Sequence, residues 1–312
     1  MKAYILRALI RALITMFFVA TLVFIFLRLS PIDPAHTMLG EYATPDRVQI
    51  IRHTMGLDRP IFIQYFQFIS DLIKGDLGYS YINKQAILPQ ILSVLPYTLE
   101  LLMSGIVLGI LFGVPLGIIA ALKPNGFIDQ VIRIFTLVGI SIPVFISGIF
   151  LIIIFCLNLE WLPITARHGT GLQPRLLVLI LPSFSVAFRM MASVTRLMRS
   201  SLLDVLKQWY ITTARSKGLK ERVVILVHAL RNALLPLVTY LGISVNILLG
   251  SAVLSEMVFM RPGIGRLIVE SIIGGDFPIV QVMIMFYAGI VVIVNLVVDI
   301  TYSFLDPRIV YK

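Results

Sequence analysis

The sequence predicts an all-α polytopic membrane protein with six transmembrane helices. Three observations carry this prediction: an unusually apolar composition, six long apolar runs, and a one-sided distribution of basic residues. Hydrophobic residues make up 58% of the 312 residues and charged residues only 13%, with a mean hydropathy of +0.96. Soluble domains are roughly 45–50% apolar and about 25% charged, so neither a soluble fold nor a disordered chain fits.

Each apolar run is long enough, or nearly so, to cross a bilayer. About 20 helical residues, each rising ~1.5 Å, span the ~30 Å hydrocarbon layer. The first run is short, but Arg11 and Arg28 flank it and their side chains can reach the headgroups. We expect this run to be a retained helix, because residues 28–31 make a poor signal-peptide cleavage site. The runs cover residues 12–27, 101–122, 134–159, 176–195, 232–255 and 277–298, and Arg189 interrupts the fourth.

The connecting segments divide sharply by charge. With a cytoplasmic N-terminus, the inside segments 1–11, 123–133, 196–231 and 299–312 hold 15 basic and five acidic residues, whereas the outside segments hold ten of each. The whole net charge of +10 therefore lies on one face, as the positive-inside rule requires. This distribution predicts cytoplasmic termini and a basic face that meets anionic lipid and cytoplasmic partners, not nucleic acid.

Residues 30–95 form the predicted extracytoplasmic segment between the first two spans. The segment is balanced in charge and carries turn signals at Ser30-Pro31, Asp33-Pro34 and 75–78. Its amphipathic middle predicts two short helices, over residues 45–55 and 61–73.

Several classes of site have no signature in the sequence. There is no Gly-Lys-Ser/Thr for ATP phosphates, no His-Glu-x-x-His and no Gly-x-Ser-x-Gly. The single cysteine, Cys156, and four histidines without ligand spacing predict neither a metal site nor a cofactor in this chain. Glu100, Arg189 and Asp299 are the few ionisable residues in or beside the spans, which disfavours an ion-coupled carrier. We expect a transport subunit that another chain energises, with a stand-alone secondary carrier or channel as the alternative.

The inside segment 196–231 contains the most informative residues. Thr212, Thr213, Ala214, Arg215, Ser216, Lys217, Gly218 and Leu219 predict a short helix that ends at a left-handed glycine, and a second helix follows and re-enters the membrane. A helix this short has little core of its own, so its exposed face needs another surface. That surface is either a partner protein or the lipid headgroups.

Here the chain resembles the permease subunits of binding-protein-dependent ABC importers, in the dipeptide, oligopeptide and nickel branch. The resemblance covers nearly the whole chain, and its motifs occur in the family's order. They are Met55-Gly56-Leu57-Asp58-x-Pro60, Gly75-Asp76-Leu77-Gly78, Leu95-Pro96-x-Thr98-Leu99-Glu100-Leu101, Ala214-Arg215-x-Lys217-Gly218-Leu219, His228-Ala229-Leu230-Arg231-Asn232-Ala233-Leu234-Leu235-Pro236, Pro262-Gly263-x-Gly265-Arg266, Asp276-x-Pro278-x-Val280-Gln281, Asn295-Leu296-x-Val298-Asp299 and Leu305-Asp306-Pro307-Arg308.

The resemblance implies a multi-subunit importer in a bacterial or archaeal cytoplasmic membrane. Its partners would be a second permease, two ATP-binding subunits and an extracytoplasmic solute-binding protein, and its cargo a peptide, a nickel chelate or a related small solute. Residues 1–95 would be an N-terminal helix and extracytoplasmic segment, residues 96–305 a five-helix transmembrane domain and residues 306–312 a cytoplasmic tail.

The resemblance also assigns a role to residues 212–219, as the coupling helix that an ATPase subunit receives. The wider superfamily carries Glu-Ala-Ala where this chain has Thr212-Thr213-Ala214, so the polar part of that contact differs here. Arg215 and Lys217 are the expected charged contacts, with lipid headgroups as the alternative partners.

Two features within the spans suggest further roles. Gly105, Gly109, Gly113 and Gly117 recur every four residues, a spacing that permits close approach between membrane helices, and we expect packing rather than a pathway lining. A charge near mid-span costs about 2.5–3.5 kcal/mol on insertion scales, so Arg189 either lines the pathway or snorkels to an interface.

Three charged residues fall near the ends of the later spans. Glu256 and Asp276 are expected to organise an outer loop. Arg261 stands where the family carries an aromatic residue, and is either a specificity feature or a loop charge.

Overall fold

The computed structural model describes residues 2–30, 33–164 and 172–305 of the chain. These residues are overwhelmingly helical, and the only β-type pairing among them is an isolated antiparallel bridge between Tyr79 and Ala86. The all-α prediction is confirmed for this part of the chain. The predicted tail, residues 306–312, lies outside it.

Fourteen α-helices occur in the described residues, some continued by π-helical or 3-10 turns. The two short helices predicted over 45–55 and 61–73 are confirmed as α3 and α4, with bounds that differ by at most one residue. The helices are α1 Lys2–Leu29, α2 Pro34–Leu39, α3 Pro45–Thr54, α4 Ile61–Ile73, α5 Ile87–Leu122, α6 Phe127–Ser141, α7 Val144–Leu151, α8 Leu172–Leu206, α9 Trp209–Ser216, α10 Glu221–Val223, α11 Leu230–Ala233, α12 Leu235–Val258, α13 Ile264–Gly274 and α14 Phe277–Leu305; Gly40–Tyr42 is 3-10, and Ile152–Asn158 and Val224–Ala229 are π-helical.

Five described helices are long and apolar enough to cross a membrane, and the count rises to six if a bent pair forms one span. The pair consists of α6 and the 144–158 helix, whose axes differ by 107°. The sequence predicts one continuous span over 134–159, and the structure corrects this. Pro143 has no backbone N–H to donate, and Ile142 before it is extended, with φ −78° and ψ 123°, so the helix stops and restarts there.

Helix α8 continues well beyond the predicted end of the fourth span. The apolar run ends at Thr195, yet the helix proceeds without interruption to Leu206. Met198 and Leu202 on this extension are fully buried. The first residues of the predicted cytoplasmic segment therefore continue helix α8, and the connecting segment begins after residue 206.

One compact unit comprises Met1–Pro96 and Pro262–Lys312. Within it, α1 packs along α14 and α4 packs on the end of α1, where the Phe24 ring lies 5.3 Å from that of Tyr65 and 5.6 Å from that of Phe68. Its apolar core is formed by α5, α13 and α14, through Ile87, Ile91, Ile264, Ile279, Val282 and Met283.

The second compact unit is Tyr97–Arg261. Helix α8 is its centre, because α6, α7, α11 and α12 all pack on it. Phe135 of α6 meets Phe188 of α8 edge to face, with ring centroids 5.3 Å apart. These units follow a different division from the predicted segments 1–95 and 96–305, since α13 and α14 group with the N-terminal residues.

Candidate functional site

Helix α9 is anchored to the second unit by one face. Ile211 is fully buried and Ala214, one helical turn later, is 8% exposed. The two side chains join an apolar cluster contributed by α5, α8 and the 224–233 segment: Ala121, Met198, Leu202, Val224, Ala229 and Ala233. Asn232 adds a polar tie, since its Nδ2 donates to the Tyr210 hydroxyl at 2.8 Å. The short helix therefore has a fixed position against the helical bundle, although it contributes only two residues to the core.

A left-handed glycine ends α9. Gly218 has φ +78°, its N–H donates to the Arg215 carbonyl at 2.9 Å, and the N–H of Leu219 donates to the Ala214 carbonyl at 3.4 Å. This pair of bonds is the Schellman arrangement, which satisfies the last carbonyls of a helix. A Cβ at position 218 would meet nothing within 4 Å, so the backbone angle and not a lack of space favours glycine.

An ion pair closes the turn from the other side. The Arg215 guanidinium donates to both carboxylate oxygens of Glu221, at 2.5 and 3.0 Å. The hydrogen bond from Arg215 holds the pKa of the Glu221 carboxyl below its usual value, and the same bond raises the pKa of Arg215. The sequence prediction treats Arg215 as a contact to another subunit; in the structure its guanidinium is already engaged within the loop.

The other face of α9 is open. Trp209 is 88% exposed, and Thr212, Thr213, Ser216 and Lys217 are exposed as well. Thr213 and Ser216 direct their hydroxyls to carbonyls one turn back, at 3.0 and 3.1 Å. Residues 209–219 thus form an exposed surface that carries the indole of Trp209 and the ammonium group of Lys217.

The four spaced glycines of α5 all lie against α8. A Cβ on Gly105 would come within 2.9 Å of the Val186 side chain, and one on Gly117 within 2.6 Å of Met198 Cβ. Gly109 meets Met190 and Gly113 meets Val194, so the four-residue repeat on one helix matches a four-residue repeat on the other. The structure thereby places the stripe at a helix–helix contact.

Arg189 is half-buried on α8. It makes no hydrogen bond or ion pair with any residue in the described part of the chain. Met190, the next residue, and Ala187, two residues before it, are buried. The partner that would explain this charge is therefore not found among the described residues.

Sequence reasoning missed a charge cluster formed by residues of α5, of α8 and of the segment that follows α12. Glu100 binds two guanidiniums: it pairs with Arg175, and it accepts from Arg261 Nη2 at 2.7 Å. Both guanidiniums also lie over the ring of Tyr97, at 4.9 and 5.4 Å from its centroid. Arg261 is only 5% exposed, and burial lowers its pKa. The sequence offered two signals: Arg261 departs from the family pattern, and Glu100 is one of the few ionisable residues beside the spans.

Each unit also contains a buried acid that accepts hydrogen bonds from its neighbours. Glu256 is fully buried and accepts from the Thr98 hydroxyl at 2.6 Å. In the other unit, Asp276 accepts from the Ser80 hydroxyl and from the Tyr81 N–H, the latter at 3.0 Å. Asp276 thus fixes the 80–83 turn, the organising role expected of it.

Comparison with known proteins decides the family. Residues 113–311 match the family described as binding-protein-dependent transport system inner membrane component, and residues 1–102 match its N-terminal family. The chain belongs to this family of transport permeases. A probable peptide ABC transporter permease of Sinorhizobium fredii is 37% identical over the full length of both chains. The glutathione transport system permease proteins of Shigella flexneri and Escherichia coli K12 are 36% identical, again over both full lengths.

A solved structure agrees in fold. The crystal structure of an amino acid ABC transporter with histidines matches with a TM-score of 0.54 at 17% identity, over 71% of this chain and 94% of that one. The resemblance that the sequence motifs indicate is therefore confirmed. This permease is a multi-pass inner-membrane subunit of an ABC importer, a transport subunit and not an enzyme.

Proposed function

We propose that this permease pairs with a second permease to carry peptides or a related small solute, and that an ATPase subunit docks on α9. The observation that carries the docking proposal is the two-sided character of α9. Ile211 and Ala214 anchor its inner face in the apolar cluster, while Trp209, Thr212 and Thr213 remain exposed on its outer face. Such a helix presents a surface and cannot move independently of the bundle behind it.

Rigidity is what energy coupling requires of this element. The permease pair must have inward-open and outward-open packings of similar free energy, and the ATPases shift the balance when they close on ATP. Reversing a 1:99 population takes about 5.5 kcal/mol of differential binding. The Schellman turn at Gly218 and the Arg215–Glu221 pair remove slack from the loop that would transmit that energy.

The proposed cargo rests on the relatives. Two of them are named for peptide and for glutathione transport. We therefore propose the peptide class for this chain. A nickel chelate is the alternative, because within the family the external binding protein largely selects the solute. The complete assembly would contain two permeases, two ATPases and one solute-binding protein.

We also propose that both termini and α9 are cytoplasmic. With six crossings, all ten excess positive charges fall on the face that carries α9, and the other face is neutral. Exposed Lys217 and Lys220 then face the compartment where ATP and the ATPases are found.

Reconstitution tests the transport proposal. Proteoliposomes with both permeases, the ATPases and the binding protein should accumulate a labelled peptide only when ATP is supplied on the ATPase side. Uptake by the permease alone, without nucleotide, would instead establish the stand-alone carrier or channel.

Cross-linking tests the docking site directly. In a Cys156→Ser background, Thr213→Cys on the outer face of α9 should cross-link to an ATPase subunit in the assembled complex. Thr54→Cys is the matched control, an exposed threonine near the end of a short helix in the extracytoplasmic segment. It should give no ATPase adduct, and equal labelling at both positions would refute the docking site.

A further inference from the structure

A groove of about 530 Å³ lies between α6 and α8 in the second unit, and no residue of α9 lines it. Arg133, Arg196 and Arg199 line one end of it. Beyond Arg133 the wall on α6 is mainly apolar: Ile134, Leu137 and Ile140 form it, and Thr136 is the polar side chain among them. Neither the proposed ATPase contact nor the glycine packing uses these residues.

The charged end of the groove has more cations than anions. Asp129 is fully buried and receives two hydrogen bonds from Arg199, at 2.5 and 2.6 Å, so these two charges satisfy each other. Arg133 and Arg196 are exposed, and neither forms a hydrogen bond or an ion pair with any described residue; Arg133 attracts Asp129 only at longer range. Three guanidiniums thus lie near one carboxylate. The guanidiniums of Arg133 and Arg196, which have no partner among the described residues, indicate an anionic ligand.

The groove changes from charged to apolar along the helix axis. Ile134 is 63% and Leu137 69% exposed, immediately beyond Arg133. From Arg133 to Ile140 the helix advances seven residues, about 10 Å. The complementary ligand therefore carries a negative group at one end and a hydrocarbon chain at the other.

We propose that this groove binds an anionic phospholipid, with the phosphate between Arg133 and Arg196 and an acyl chain along Ile134 and Leu137. Guanidinium groups match phosphate oxygens in a bidentate geometry. Basic pockets between transmembrane helices on the cytoplasmic side bind anionic headgroups in the same way. Inorganic phosphate or an acidic protein segment would satisfy the arginines but would leave the exposed apolar wall uncovered.

Lipid titration of the purified full-length protein, followed by native mass spectrometry, tests the proposal. Phosphatidylglycerol should be retained in preference to phosphatidylcholine. One surface arginine is worth about a five-fold change in affinity for anionic lipid, so Arg133→Gln with Arg196→Gln should weaken phosphatidylglycerol binding about 25-fold. Restoring the charge with Arg133→Lys and Arg196→Lys should recover most of the affinity.

A matched control removes the same charge elsewhere. Arg222 and Arg231 are exposed arginines of the same basic segment but do not line the groove. Arg222→Gln with Arg231→Gln should leave phosphatidylglycerol binding within about two-fold of wild type. An equal loss in the control would show a general charge effect and overturn the site.

Photochemical mapping keeps the proposal falsifiable if the groove variants fold poorly. A photoreactive phosphatidylglycerol should label wild-type protein within residues 130–140 and 195–200. Labelling elsewhere alone overturns the proposal. The proposal is also overturned if inorganic phosphate binds the wild type with the expected arginine dependence while lipid binding shows no such dependence. A third refuting result is an assembled complex in which a protein subunit cross-links to Arg196 and excludes the lipid.

Discussion

Replacing Gly113 by alanine should destabilise this permease, although alanine is the better helix former. A Cβ at this position would lie 2.8 Å from Val194 Cβ and Cγ1 and 2.9 Å from the Met191 carbonyl oxygen. Because the last of these atoms belongs to the backbone of α8, rotating one side chain cannot relieve the contact. Helix α8 would have to move away from α5.

The magnitude follows from two opposing terms. Alanine in place of glycine inside a helix gains about 1 kcal/mol, and overpacking a close contact costs about 1–3 kcal/mol. Gly250→Ala is the matched control, because a Cβ there meets nothing within 4 Å and only the gain applies. The two variants should therefore differ by about 1–3 kcal/mol, or roughly 2–6 °C in Tm for a protein of this size.

The assay is parallel thermal unfolding of wild type and both variants, purified full length in one detergent. Gly113→Ala should melt below Gly250→Ala, and adding Val194→Ala to Gly113→Ala should recover part of the difference by removing two of the crowded atoms. A Gly113→Ala protein that melts at or above Gly250→Ala would refute the reasoning that this glycine permits close approach.

Four further changes test the loop and the charges. Gly218→Pro forbids φ +78° and removes the N–H bonded to Arg215, so ATP hydrolysis should continue while uptake is lost; full uptake would contradict the coupling role. Arg189→Leu should alter transport kinetics at unchanged expression, and unaltered kinetics would exclude a pathway role. Glu100→Gln should lower Tm by several degrees because buried Arg261 loses its carboxylate, whereas Glu270→Gln, an exposed pair with Arg266, should change little. The lowered pKa of the Glu221 carboxyl means that its pair with Arg215 contributes fully above the usual carboxyl pKa and is lost as pH falls through the lowered value. The protection of α9 amides against hydrogen exchange, corrected for the intrinsic rate, should therefore fall with acidification in wild type, and Glu221→Gln should show the lower protection already at neutral pH.

Local patterns predicted much of this fold. The short helices at 45 and 61 followed from amphipathic spacing between turn residues, and the helix that ends at Gly218 followed from one glycine in a polar loop. Both depend only on neighbours in sequence, which is why they could be located without a structure.

Long-range pairing is what the sequence could not supply. Glu100 and Arg261 are 161 residues apart, and Asp129 and Arg199 are 70 apart, so nothing local identifies them as partners. The second pair places a charge inside a packed helix: Arg199 lies beyond the end of the apolar run on α8, and the buried carboxylate of Asp129 neutralises it.

The bend before Pro143 determines more than the shape of one helix pair. If α6 and the 144–158 helix entered and left by the same face, every later segment would change sides, and the excess charge would divide as +4 and +6 between the two faces. A single crossing gives +10 and zero, the strongly asymmetric partition that membrane insertion favours. Whether the helix pair broken at Pro143 crosses the membrane once or returns to the same face thus decides on which side every later segment lies.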